Sequence, residues 1–251
     1  MRQAVTSSIT GLALALAASA VAQETPAAQP EINAVIEEAF TRQLESVAAL
    51  NCADRDVDCL SAELIARYRV DQWAREQFSE NALCADFADD QAEMCFGMVM
   101  GATVFRVDMP NTTRLKEIMD LHGWPEPPLF SEDVQSAAWY LAQHAQIIDE
   151  TGTSQWDVAL AESILPDVRE AVEASQLTPW HYAAMYDRIA RSKGEPQRYA
   201  TQIMCSNGEA DFGELEDAQR VTEFRTEIGM DPFDPSAYDS YCANSSVPGE
   251  A

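Results

Sequence analysis

Positive charge is scarce in this chain. Sixteen Lys and Arg stand against 42 Asp and Glu, a formal net charge of −26 at pH 7. A surface of that sign repels phosphate backbones and anionic lipid, which excludes nucleic-acid partners and argues against binding to anionic membranes. Histidine is scarcer still: His122, His144 and His181 are the only three. No two of them stand at metal-ligand spacing, so no metal site is expected. The cysteines form no CxxC pair, which leaves zinc and thiol redox chemistry without a ligand frame. The sequence holds no GxSxG, no HExxH, no phosphate-cradling glycine loop and no calcium loop, so no cofactor is implied.

Long apolar runs are also missing. The run from Ile9 to Ala18 is too short to span a bilayer as a mature anchor. It follows the basic start Met1-Arg2 and precedes Ala20-Val21-Ala22, the small-residue pattern a signal peptidase reads. Residues 1–22 are therefore read as a signal peptide, with no membrane insertion after cleavage. No cysteine follows the run until Cys52, which excludes a lipoprotein attachment and leaves a periplasmic or secreted protein. Residues 23–30, rich in Ala, Pro and Gln, read as a disordered leader, and residues 243–251 as a flexible tail.

What is present fits export. Cys52, Cys59, Cys84, Cys95, Cys205 and Cys242 are an even set for an oxidising space. Loop closure favours neighbours, giving Cys52–Cys59, Cys84–Cys95 and Cys205–Cys242. The remaining 31–242 reads as one mostly α-helical domain, disulfide-stapled, with a small β-hairpin near Cys205. Helical stripes run through Ile32, Ile36, Phe40 and Val47, and from Ser61 to Asn81. Residues 82–95 read as an acidic, disulfide-clamped insertion, and Phe96 to Val107 as a buried helix or a short strand. Asn111 is expected to cap a helix that stops at Gly123-Trp124-Pro125. Ser131 caps the next, whose stripe is Val134, Ala137, Leu141, His144 and Ile148. Trp156 to Ile164 is amphipathic, and Pro166 is expected to break or restart that helix. Thr178-Pro179 opens another helix that ends at Lys193-Gly194, and a last runs from about Asp217 to Ile228. His122 is expected to close its own helix and His181 to lie on the surface. The tryptophans read as core.

Several short motifs, in this order, carry a family resemblance. They are Asp71-Gln72-x-x-Arg75, Gly123-Trp124-Pro125, Gln143-His144-Ala145, Tyr186-Asp187-Arg188-Ile189 and Pro196-Gln197-x-Tyr199-x-Thr201-Gln202. The chain resembles, over roughly 60–241, the bacterial domain-of-unknown-function family numbered sixty-six twenty-four. The resemblance implies a mostly helical domain and no activity. Ala200 stands where the pattern has glycine, which puts in doubt a positive backbone φ there.

The residues that could carry chemistry are polar groups on apolar faces. His144 interrupts its stripe, and a buried titratable group needs a partner or a cavity. Asp187 lies among Ala183, Ala184 and Ala190 and is the expected orienting carboxylate for a His144 general base. Asp71 and Arg75, one turn apart, can pair. Arg75 or Arg188 can hold an anionic group; Gln143, Gln197, Tyr199 and Gln202 complete the candidate set. Three readings stay open: a pocket for a small polar or anionic ligand, a hydrolase-type enzyme with His144 and Asp187 as catalytic pair, or a structural or protein-interaction domain with a buried polar network. The pocket is the working one, and no protein partner is indicated.

Overall fold

The computed structural model describes residues 29–206, 208–238 and 242–243. The residues read as a signal peptide, most of those read as a leader and nearly all of those read as a tail lie outside these residues. Helix α1 spans Gln29–Ala48, starting two residues inside the stretch assigned to the leader, with Pro30 in its first turn, where a missing N–H costs nothing. It buries Ile32, Ile36, Phe40 and Val47.

Helix α2, Val57–Glu80, begins four residues earlier than its apolar stripe indicated. Asp56 accepts from the Cys59 N–H at 3.1 Å, and the Cys52–Cys59 bridge ties the preceding loop to that first turn. All three expected disulfides are present. Residues 82–95 are only partly an insertion, because helix α3, Asp89–Thr103, starts within them and carries Cys95.

No cap forms at Asn111. The chain stays helical from α3 through a π-turn, Val104–Asp108, into α4, Met109–His122. Pro110 explains the wider turn. It lacks an N–H, and its ring would meet the Arg106 carbonyl in a regular helix. Here the Met109 N–H bonds Val104 O, five residues back, so the helix continues past the proline. Gly123, at φ 77°, ends α4 as expected.

Helix α5 is Glu132–Gln143. The apolar stripe ran one residue pair too far: His144 is the carboxyl-terminal cap, and Ile148 lies in strand β1, Gln146–Ile148, which pairs antiparallel with β2, Ser154–Trp156. The turn between them is built by Asp149, whose carboxylate accepts from the N–H groups of Thr151 and Thr153, and by Gly152 at φ 83°. Ser131 occupies the cap position of α5 without a side-chain bond.

Helix α6, Val158–Glu173, starts after Trp156 and runs straight through Pro166. Helix α7, Pro179–Ser192, opens on Thr178 in a reciprocal capping box with His181. That histidine packs on Trp139, ring centroids 4.7 Å apart, and is half-buried, not on the surface. His122 bonds the Asp54 carbonyl at 2.6 Å instead of its own helix end. The expected strand from Arg198 shrinks to β3, Met204–Ser206, paired with β4, Glu209–Asp211. Helix α8 is Val221–Glu227.

Two apolar cores meet along α2. One joins Leu60 and Leu64 to Leu115, Trp139, Leu141, Ile164 and Met185. The other joins Val70 and Ala74 to Ile32, Phe40, Val99 and Val107. Each buried Val, Leu, Ile, Phe or Met side chain among these contributes about 1.5–3 kcal/mol. Trp124 and Trp139 belong to the first, as expected, whereas Trp180 is 43% exposed. Among the described residues, no helix is long and apolar enough to cross a membrane.

Candidate functional site

Polar side chains collect where the π-turn and the end of α5 come against α2. Asp71 is fully buried, yet its carboxylate is well partnered. His144 Nδ1 lies 2.9 Å from Oδ2 and 3.0 Å from Oδ1, Gln72 donates at 2.8 Å, and Arg75 donates at 3.2 Å. Arg75 also bonds Asp108 at 2.5 Å, bridging two buried carboxylates. Its Nε stands 3.4 Å from His144 Nδ1. Nδ1 has a single site for a proton or a lone pair and cannot serve both neighbours. The shorter contact is to a carboxylate, so Nδ1 carries the proton and donates to Asp71.

That tautomer leaves a lone pair on Nε2. No partner for it exists among the described residues, and the side chain keeps 21% exposure. Burial holds the imidazole below its usual range; Asp71 pulls it up, and the charges of Arg75 and Arg188 push it down. His144 is thus neutral near pH 7, with an accepting nitrogen on its open side.

Arg188 reaches the same cluster from α7. Its guanidinium carbon lies over the Trp156 ring, 4.8 Å from the centroid, and Trp156 flanks His144, donating from Nε1 to Ala142 O at 3.2 Å and pairing with Gln146 across the hairpin. The charge of Arg188 also acts on Asp108, His144 and Arg75. Burial, with Arg75 beside it, lowers it to about 10. Asp108 moves the other way: burial pushes its carboxyl up to about 7, against the pull of Arg75.

Sequence reasoning missed Asp108. A signal existed: one acid inside the apolar run Val107-Asp108-Met109, just before Pro110. It was weak because the fold-defining feature, the π-turn that aims Asp108 inward, follows from a proline lying beyond it.

The structure brings together Asp71, Arg75, His144 and Arg188 from the expected set. It does not bring Asp187 to His144, and the expected orienting role passes to Asp71. Asp187, adjacent to Arg188 on α7, points to another side of the helix. Its carboxylate accepts from the backbone N–H groups of Arg198 at 2.8 Å, Tyr199 at 3.0 Å and Thr201 at 2.9 Å, and from the Thr201 hydroxyl at 2.8 Å. Burial raises its pKa while these donors lower it. Gln197 and Gln202 belong to this second cluster. Gln197 accepts from the Gln202 N–H and donates to the carbonyls of Gln202 and Phe212; Gln202 donates to Ala184 O. Tyr199 is buried against Tyr182 and Tyr186. Asp187, Gln202 and Tyr199 fix the loop to α7, and Gln197 braces the loop from within. Ala200 lies at the centre of that loop at φ 52°, so the positive φ is kept despite the missing glycine. Gln143 is buried at the end of α5, and its Oε1 has no partner among the described residues.

Among the described residues, no group of His, Cys, Asp and Glu is arranged to hold a metal ion. Two surface hollows lie elsewhere, along Glu37, Thr41 and Glu45 of α1 and between Leu165, Ile189 and Pro196, and neither includes a cluster residue. The cluster's chemistry is therefore that of a His–Asp pair with one free nitrogen beside two arginines.

Comparison with curated proteins and with solved structures found no match. Residues 58–240 match the model of a family of unknown function, DUF6624, and the chain belongs to that family.

Proposed function

We propose that the protein binds a small polar ligand at the Asp71–His144 cluster, with His144 Nε2 accepting a hydrogen bond from it. One observation carries this reading. Nδ1 is committed to Asp71, so Nε2 is a fixed, partly exposed acceptor with no partner among the described residues. A histidine closed off inside a packed cluster has both nitrogens satisfied by the protein, whereas this one leaves Nε2 to whatever occupies its exposed side.

The reading separates from a scaffold role by stability. In His144→Ala, Asp71 keeps Arg75 and Gln72, so the loss is expected at about 1 kcal/mol or less. Small polar ligands should raise the thermal midpoint of the wild type and not of the variant. A loss above about 3 kcal/mol together with no ligand-induced shift in the wild type assigns His144 to the scaffold.

The same pair supports a second reading, hydrolysis, because an imidazole oriented by a carboxylate is a general base for water. Product should then form with wild type and fail to form with both His144→Ala and Asp71→Asn.

The protein is also read as exported, to the periplasm or beyond the cell. Three disulfides, which persist in oxidising compartments, support this. Expressed in a Gram-negative host, the non-reduced chain should have a mass that begins at Gln23 and includes three bridges. A cytoplasmic chain retaining Met1 overturns it.

A further inference from the structure

The arginines of this acidic chain are mostly spoken for. Among those withdrawn from water, Arg67, Arg75, Arg106, Arg114 and Arg198 each reach a carboxylate, and Arg225 reaches two carbonyl oxygens. Arg188 is partly buried too, and among the described residues it has neither. With 42 acidic residues in the chain, an unpaired guanidinium is not for want of carboxylates. Its guanidinium carbon sits over the Trp156 ring, 4.8 Å from the centroid. With no carboxylate or carbonyl partner among the described residues, its N–H groups are left to offer the planar fork that grips an oxyanion with two parallel bonds.

We infer that the ligand of the His144 site is a small oxyanion, a carboxylate or a phosphate, held by the fork of Arg188 beside His144 Nε2. This rests on the polar-ligand reading and names its chemical class. The fit extends to proton balance. The charged groups acting on His144 and Arg188 are Asp71, Arg75 and Asp108, with the exposed Arg191 one turn along α7 acting on Arg188 as well. An added anion puts a negative charge beside His144 and Asp108, which favours the protonated form of each. The proton that offsets it goes to His144 Nε2, which then donates to the anion while Nδ1 still donates to Asp71. A proton on Asp108 offsets it in the same sense. Anion binding should therefore tighten as pH falls, and the anion should raise the pH at which His144 titrates.

The test follows the His144 imidazole by NMR, its signal identified by loss in His144→Gln, at constant ionic strength because exposed charges are screened by salt. The probes are glycolate, its neutral counterpart glycolamide, and inorganic phosphate. Glycolate or phosphate should move the His144 signal saturably, more tightly at lower pH, and glycolamide should not. Arg188→Gln should weaken that binding about tenfold or more. Arg188→Lys keeps the charge but loses the fork, and should fall between the two; it carries the comparison where Arg188→Gln does not fold. Equal response to glycolate and glycolamide, or an unchanged affinity in folded Arg188→Gln, overturns the oxyanion inference and leaves the polar-ligand reading standing. No response of His144 to any of the three probes overturns both.

Discussion

Asp187→Ala should destabilise the protein by about 3–5 kcal/mol, read as a lower urea midpoint with an unchanged slope. The carboxylate takes the backbone N–H groups of Arg198, Tyr199 and Thr201 together with the Thr201 hydroxyl. Each donor left unpaired in a buried setting costs about 1–3 kcal/mol. Relaxation and water recover part of that at Arg198 and Thr201, which are partly exposed, and none at Tyr199, which is buried. The loop has a further reason to come apart. Ala200 holds a left-handed φ of 52°, a conformation costing an L-residue roughly 1–2 kcal/mol, and the bonds on either side of it to Asp187 are what hold it. Asp187→Asn keeps the shape and one acceptor oxygen but turns an NH2 toward donors, so its loss should be smaller, about 1–3 kcal/mol. The ligand response of His144 should survive in both variants, because Asp187 shares no hydrogen bond with the His144 cluster. A loss below about 1 kcal/mol for Asp187→Ala would show that the loop stands without the carboxylate.

The division of labour between Asp71 and Asp187 marks where the sequence stopped being legible. Helix α7 was readable end to end, because Thr178-Pro179 and Lys193-Gly194 are local signals acting on the residues beside them. The disulfides were readable because short loops close most easily. His144 was rightly singled out as a polar group in an apolar row, but the row misled about its place. Ile148 continued the helical spacing, so the helix was carried past Gln143, where the Asp149–Gly152 turn in fact starts a hairpin. The partner of His144 was beyond sequence reasoning altogether. Asp71 lies 73 positions away, and which of two carboxylates meets an imidazole depends on how α2, α5 and α7 pack. Asp187 had the better local case, three small neighbours on its own helix, and those alanines make room for a loop backbone instead.

Asp108 should make the protein less stable as pH rises from about 4 to 7. Its carboxyl is held at about 7 in the fold, above its ordinary 3.8, because burial outweighs the Arg75 pair. A carboxyl raised in the folded state binds its proton more tightly there than in the unfolded chain. Its stabilisation is complete below the ordinary value and is lost through the window up to the folded one. The slope is about 1.4 kcal/mol per pH unit, and the total is at most about 4 kcal/mol. His144 acts in the opposite sense. Its folded pKa is lowered, so near its ordinary range the unfolded chain binds more protons, and stability there rises with pH. The two trends overlap in the wild type and mask each other. Asp108→Asn separates them: the asparagine is neutral in both states, so the variant keeps the His144 trend and loses that of Asp108. Urea unfolding at intervals from pH 4 to 8.5 should give two curves that converge near pH 4. They should diverge up to about 7, with the variant the more stable, and run parallel above it. Curves parallel from pH 4 upward would mean that Arg75 keeps Asp108 ionised throughout. The π-turn would then have delivered a permanent charge to the His144 site rather than a carboxyl that titrates near neutrality.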